Sequence, residues 1–147
     1  MLKSSWKIFA ALFILFSIAC STYERDKASV SIFDFKYGEN NLQRYKSLSV
    51  IGYLKISEIE SFLFASEVDA QLSNYSNSIY LYIGKDMEDR LVEKCNNSFV
   101  RVVGKYEKLE GDLSIGYPKI VFKVMSVTKF ILDKNGKLQD TVNCEDL

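Results

Sequence analysis

Two five-residue stretches decide the fold of this chain: Val50-Ile51-Gly52-Tyr53-Leu54 and Val102-Val103-Gly104-Lys105-Tyr106. In each, apolar residues recur at alternate positions, which is typical of a strand with one buried face. In each, a glycine stands in the middle, where it usually marks a β-bulge or a close approach of another backbone. Two long strands that both bend at a central glycine favour a small closed barrel.

The rest of the β-structure is predicted outward from these two stretches. Alternating or continuous apolar runs, bounded by polar residues, predict five strands. They are expected at residues 48–57, 61–65, 79–84, 99–109 and 119–132. Residues 67–78 are polar and predict a long hairpin loop. Residues 30–37 are apolar and fit either a strand or irregular packing on the domain edge.

One regular helix is predicted, at residues 87–95, between the third and fourth strands, and residues 38–47 are expected to form a turn with a brief helical piece. Met87, Leu91, Val92 and Cys95 form an apolar stripe at helical spacing. Asp86 suits its N-cap, because an aspartate side chain accepts a hydrogen bond from the free backbone N–H groups of a first turn.

This order of three strands, one helix and two strands resembles the OB-fold. The resemblance rests on V-I-G-Y-L at 50–54, the helix at 87–95 and V-V-G-K-Y at 102–106. It implies a mainly β, OB-like five-stranded barrel with one helix between strands 3 and 4, in a single domain over residues 30–147. The chain is also similar to uncharacterised OB-like lipoproteins of bacterial envelopes. A different small β-barrel, or an α+β domain with as many strands, is the alternative.

Residues 1–19 are predicted to be an export signal. Lys3 and Lys7 give a positive start, and an apolar run follows at residues 8–19, broken only by Ser17. As a helix this run spans ~18 Å, whereas a membrane-spanning helix must cross a hydrocarbon core of ~30 Å. The run therefore fits the central region of a signal peptide.

The stretch Leu15-Phe16-Ser17-Ile18-Ala19-Cys20 resembles the bacterial lipobox, in which a small residue precedes an invariant cysteine. The resemblance implies cleavage before Cys20, diacylglycerol on its sulfur and acylation of the new amine. The alternative is an ordinary secretory signal followed by an unmodified cysteine. If Cys20 carries the lipid, residues 20–29 form a polar tether between the lipid and the domain. Ser21 replaces the aspartate that retains some lipoproteins at the inner membrane, so we expect a lipid anchor in the outer membrane, facing the periplasm.

The composition limits the chemistry. The chain has 19 basic and 19 acidic residues, and loss of Lys3 and Lys7 with the signal leaves 17 − 19 = −2, which gives no electrostatic reason to expect nucleic acid as a partner. The absence of His excludes Ser-His and Cys-His nucleophile pairs and histidine zinc sites. The acidic residues Asp86, Glu88 and Asp89 suit a helix N-terminus. We expect no enzyme, metal or cofactor, although carboxylate or lysine chemistry stays open.

Three cysteines occur: Cys20, Cys95 and Cys144. If Cys20 is acylated, an even pair remains in an oxidising compartment, where such pairs usually form disulfides. The sequence therefore predicts a disulfide between Cys95 and Cys144. Two unrelated buried thiols are the alternative.

The expected function is binding. Tyr53, Tyr80 and Tyr82 fall on the outward faces of predicted strands, and Leu113 and Ile115 lie in the connection between the last two strands. We expect these five residues to contact a ligand, since similar OB-folds bind ligands on that side of the barrel; tyrosines that only fill a β-surface are the alternative. The partner would be a protein or a cell-wall fragment. An inhibitor or immunity protein against a secreted hydrolase is the competing function.

Overall fold

The structure is a computed structural model that describes residues 27–108 and 120–146, apart from the side chains of residues 39 and 40. The predicted signal, Cys20 and most of the tether lie outside the described residues, and so do Leu113 and Ile115. The described chain is mainly β, as predicted. Its strands are β1 (Ala28–Val30), β2 (Leu48–Ile56), β3 (Ser61–Phe64), β4 (Ser78–Tyr82), β5 (Ser98–Lys108), β6 (Ile120–Leu132) and β7 (Leu138–Asn143).

Short helices accompany the strands, and two of them, at residues 32–37 and 67–71, were not predicted. The five predicted strands are present as β2 to β6, with bounds within two residues of those expected. The described residues nevertheless hold four α-helices and a 3-10 turn at Tyr75–Asn77. Because β1 precedes the others, the predicted helix lies between the fourth and fifth strands of the chain, not the third and fourth. The helices are α1 (Ile32–Tyr37), α2 (Glu39–Leu42), α3 (Glu67–Gln71) and α4 (Lys85–Lys94).

Five of the strands pair in a closed cycle. β2 pairs antiparallel with β3 on one side and with β5 on the other. β3 pairs antiparallel with β4, β4 pairs parallel with β6, and β6 pairs antiparallel with β5. The order β2-β3-β4-β6-β5 therefore returns to β2, and we call these five strands the strand ring. β1 adds parallel to the start of β2, and β7 adds antiparallel to the end of β6.

Both central glycines stand where another backbone approaches closely, as the sequence predicts. A Cβ on Gly52 would lie 2.5 Å from the carbonyl oxygen of Phe64 and 2.8 Å from Cγ of Leu63. A Cβ on Gly104 would collide with the carbonyl oxygen of Lys123. The pairing of β5 with β6 shifts register between Val103 and Gly104, so this glycine also marks a β-bulge.

The open prediction for residues 30–37 resolves into a strand end followed by a helix. The Ser31 hydroxyl accepts a hydrogen bond from the backbone N–H of Asp34 at 3.0 Å, and the Asp34 carboxylate accepts one from the backbone N–H of Ser31 at 3.2 Å. This capping box starts α1 and ends the extended run after three residues. The hydrogen bonds from Ser31 hold the pKa of Asp34 below its ordinary value.

The core lies inside the strand ring and is closed by a helix at each end. At one end, the ring of Phe35 in α1 lies 5.5 Å from that of Tyr106 and 5.3 Å from that of Phe122. At the other end, Leu91 and Cys95 of α4 are fully buried. Successive ring strands run in alternate directions along the chain. Residues 27–28, where the described chain starts, and residues 65–77 therefore lie at the α1 end, and residues 57–60 and 133–137 lie at the α4 end.

The details of α4 differ from the prediction at two positions. Its N-cap is Gly84 with no side-chain cap, and Asp86 lies inside the first turn. Val92, expected in the buried stripe, is 46% exposed. The buried face of α4 is therefore narrower than the predicted stripe. The helix stops where Asn97 takes a positive φ of 54°.

The predicted disulfide is present and fastens the C-terminal tail to α4. Cys95 and Cys144 are bonded across 49 residues, with 6.0 Å between their Cα atoms, and both are fully buried. Arg90 donates a hydrogen bond to the carbonyl oxygen of Glu145 at 3.1 Å. Lys94 donates another to the carbonyl oxygen of Asp146. The end of the described chain therefore packs against α4.

Candidate functional site

A row of aromatic side chains covers the outside of the strand ring along β2, β3 and β4, and we call it the aromatic face. Tyr53 lies opposite Phe64, and Phe62 lies opposite Tyr80. Tyr82 follows on the same side of β4 and is 54% exposed. The aromatic face consists of Tyr53, Phe62, Tyr75, Tyr80 and Tyr82, and the buried Phe64, which is 1% exposed, supports it by packing against Phe62 and Tyr75.

Within this face, Phe62 is the central ring. Its centroid lies 4.9 Å from that of Tyr75 and 5.4 Å from that of Tyr80, the latter in an edge-to-face arrangement. It also lies 5.8 Å from Phe64. These separations fall in the range of favourable aromatic pairs, so the rings hold one another in place. A ligand would meet a preorganised surface.

Tyr75 belongs to the connection between β3 and β4, which was expected to be a long hairpin loop. Instead, residues 66–77 form α3 and the 3-10 turn, and α3 packs against β2 and β3. The Ser66 hydroxyl caps α3 by accepting a hydrogen bond from the backbone N–H of Asp69 at 3.1 Å. The local cap overrides the polar composition that suggested a loop.

The Asp69 carboxylate organises this connection. It accepts hydrogen bonds from the Ser66 hydroxyl at 2.5 Å, from the Asn74 amide at 2.8 Å and from the Asn77 amide at 2.9 Å. The hydrogen bonds from Ser66, Asn77 and Asn74 hold the pKa of Asp69 below its ordinary value. The loop that carries Tyr75 is therefore fixed from within.

Two lysines tie the same connection to the rest of the domain. Lys55 of β2 donates a hydrogen bond to the carbonyl oxygen of Ala70 at 2.8 Å. Lys36 of α1 donates to the carbonyl oxygens of Tyr75 at 3.1 Å and of Ser76 at 2.6 Å, and burial lowers its pKa. Burial also raises the pKa of Tyr53, and the negative charge of Glu67 raises it further. Both lysines therefore hold the backbone of this connection in place beside the aromatic face.

The aromatic surface continues past Tyr53 onto β5 and β6. The ring of Phe99 lies edge-to-face with Tyr53 at 5.4 Å. The guanidinium of Arg101, which is exposed, lies 5.4 Å from the centre of the Phe130 ring. This neighbouring patch places a cation beside flat apolar rings, which suits contact with an aromatic or sugar ring.

The structure brings together only some of the residues that the sequence singled out. Tyr80 lies within the Phe62 cluster, Tyr53 lies at its border beside Phe99, and Tyr82 lies at the exposed end of β4. Phe62 and Tyr75 were missed. Phe62 lies in the short run S-F-L-F, where both faces are apolar and periodicity does not separate inside from outside.

Among residues 27–108 and 120–146, no group of three His, Cys, Asp or Glu side chains is placed to hold a metal ion. In the same ranges, no helix is both long and apolar enough to cross a membrane. Neither a protein family nor a curated protein matches the chain.

Proposed function

We propose that this chain is a non-catalytic bacterial envelope lipoprotein, anchored through Cys20, whose single domain binds a protein or a cell-wall ligand. The observation that carries the proposal is the aromatic face: fixed rings on the outside of a sheet, with Tyr82 half exposed. Apolar and aromatic side chains on a rigid scaffold are typical binding anchors, because little entropy is lost when a partner covers them.

As part of the same proposal, the strand ring is an OB-like five-stranded barrel. Three features support it: the closed cycle of strand pairings, the parallel pairing of β4 with β6 within that cycle, and the position of α4 between β4 and β5. In such a barrel the ligand side is the outside of the second and third ring strands. Those strands are β3 and β4, which carry Phe62, Tyr80 and Tyr82.

The anchor is tested first. Cells that express the wild-type chain or Cys20→Ala are labelled with an alkyne fatty acid, and the protein is recovered and probed. We expect label on the wild type and none on Cys20→Ala, because the sulfur and the new amine of Cys20 are the proposed acceptors. Equal labelling of both would refute the lipobox assignment.

Binding is tested with purified, insoluble cell-wall material and by affinity capture from crosslinked cells. The double variant Tyr80→Ala/Tyr82→Ala should lose binding by about tenfold, in keeping with loss of a binding anchor. Tyr82→Phe keeps the ring and should bind within about twofold of wild type. Thermal melting reports folding for each protein. If the double variant melts normally and binds as wild type does, the face is not the site.

A further inference from the structure

The outer side of α1 is an exposed apolar surface that the proposed binding face does not use. Ile32 and Phe35 point into the core, whereas Phe33 is 49% exposed and Tyr37, one helical turn later, is 78% exposed. Val68 of α3 and Leu72, which ends α3, lie in the connection at the same end of the domain and are 61% and 76% exposed. Exposed aromatic and aliphatic residues at one end of a domain are typical of a surface that lies in a membrane interface.

The start of the described chain lies at this end. Ala28 pairs with Leu48, which pairs with Gly104 near the end of β5, and α1 follows directly after β1. Six residues, 21–26, lie between Cys20 and Lys27, so seven Cα–Cα steps separate the two. Fully extended, they reach at most ~25 Å. A lipid on Cys20 therefore keeps the α1 end within that distance of the bilayer.

The opposite end of the domain lies farther away. The α1 contact at Tyr106 and the α4 contact at Ser98 are eight residues apart on β5. At the rise of a β-strand this is ~26 Å. The α4 end reaches the bilayer only if the tether is almost fully extended alongside the domain.

The net charge of the two ends also favours the α1 end as the one that faces the bilayer. The segments at the α1 end, residues 27–47 and 65–77, carry four basic and four acidic residues, a net charge of 4 − 4 = 0. The segments at the α4 end, residues 57–60, 83–97, 133–137 and 144–146, carry five basic and nine acidic residues, a net charge of 5 − 9 = −4. An anionic leaflet repels the second set of segments and not the first.

We infer that the α1 end of the domain lies on the bilayer that holds the lipid, with Phe33 and Tyr37 in the interface between headgroups and acyl chains. The inference rests on the proposed anchor at Cys20. The occupant of this apolar surface is thus the membrane itself, and the α4 end faces away from it. The part of the aromatic face farthest from α1, at Tyr82, stays accessible to a partner.

The test uses tryptophan as a depth reporter. Trp6 is the only tryptophan of the chain and precedes Cys20, so the mature chain has none. Phe33→Trp and Tyr37→Trp report on the α1 end. Val92→Trp is the matched control, because Val92 is an exposed apolar residue of similar exposure on the helix at the other end.

Each lipidated full-length mature variant is reconstituted into vesicles of phosphatidylethanolamine and phosphatidylglycerol, with or without brominated phosphatidylcholine. We expect brominated lipid to reduce the emission of Phe33→Trp and Tyr37→Trp by about twofold and to leave Val92→Trp nearly unchanged, because an interfacial side chain lies within the upper acyl region. Tyr37 is so exposed that its replacement leaves the core intact, which keeps the test valid if Phe33→Trp folds poorly.

Flotation of the vesicles and the intact mass of the protein separate the two ideas. If the protein floats with its acyl chains but all three reporters are equally quenched or equally unaffected, the anchor stands and the docking of α1 is refuted. Stronger quenching of Val92→Trp refutes it as well, by reversing the orientation. A chain that lacks acyl chains and does not float refutes the anchor and the docking together.

Discussion

At the scale of single residues, Gly52 and Gly104 are the positions where the fold tolerates no side chain. A Cβ at either one would press against a backbone carbonyl oxygen of the neighbouring strand, and backbone yields less readily than a side chain. We expect Gly52→Ser and Gly104→Ser to lower the free energy of unfolding by ~1–3 kcal/mol. Urea denaturation of the purified full-length mature protein measures this change in the free energy of unfolding.

Gly84→Ser is the matched control for these two variants. A Cβ there would meet nothing within 4 Å, and a serine at this N-cap would supply a capping hydroxyl. The control should therefore be at least as stable as wild type. If all three variants unfold alike, the close approaches at Gly52 and Gly104 are not what limits these positions.

Asp69 makes stability depend on pH. Its folded pKa is lowered by hydrogen bonds from Ser66, Asn77 and Asn74, so the folded state favours the charged form. The stability that this preference adds is complete above the ordinary aspartate pKa and is lost as the pH falls through the lowered folded pKa. The gap in unfolding free energy between wild type and Asp69→Asn should therefore be widest near neutral pH and should close in acid.

Denaturation series from neutral pH to about pH 2.5 would measure that gap. Asp89→Asn, at an exposed position of α4, controls for the loss of one negative charge. A gap between wild type and Asp69→Asn that stays constant over the whole series would contradict the assigned hydrogen bonds.

At the scale of elements, α1 has one buried side and one exposed side on a six-residue helix. Phe35 is 2% exposed and packs edge-to-face on Phe122, whereas Phe33 is 49% exposed. Phe35→Ala should destabilise the domain by ~3–5 kcal/mol, in the range for buried phenylalanine. Phe33→Ala removes the same atoms from the other side and should cost less than ~1 kcal/mol. Equal losses, measured by thermal or urea unfolding without membranes, would mean that α1 buries both sides.

Strands and helices were predictable from the sequence where the periodicity of apolar residues specifies them. They were not predictable where a side-chain cap alone specifies a short helix. The five ring strands follow from alternation, and Gly52 and Gly104 were assigned correctly because few other causes place glycine in mid-strand. α1 and α3 were missed, although Ser31 with Asp34 and Ser66 with Asp69 repeat the spacing of a capping box. Helices this short have almost no periodic signal, so only the cap indicates them.

The candidate site was predictable in part, for a related reason. The outward direction of Tyr80 and Tyr82 follows from their places beside Leu81 in an alternating strand. The contact of Tyr75 with Phe62 depends on how residues 66–77 fold back over β3, which is a tertiary event with no signature in local sequence. The Cys95–Cys144 pair was predictable, because the predicted export signal and the cysteine count together leave few alternatives.

At the scale of the whole molecule, closure of the strand ring divides the sheet into two kinds of strand. β2 and β5 are hydrogen-bonded on both sides, and their mutual pairing joins residues about fifty positions apart. β7 pairs with β6 alone, and all six of its residues are exposed. A strand of the first kind separates only when the ring opens, whereas a strand of the second kind can leave by itself.

Hydrogen exchange in low concentrations of urea should therefore resolve two classes of amide. Amides of β2 and β5 that take part in the ring should exchange with the free energy and the urea dependence of global unfolding. Hydrogen-bonded amides of β7 should exchange faster and with little urea dependence, since their opening exposes little buried surface. The residue next to β7 at the disulfide, Cys144, should exchange more slowly than the strand itself, because its N–H donates to Val127 and its sulfur is fixed to α4. If β7 and β5 share one exchange free energy and one urea dependence, the sheet opens as a single unit and the division between ring and edge is wrong.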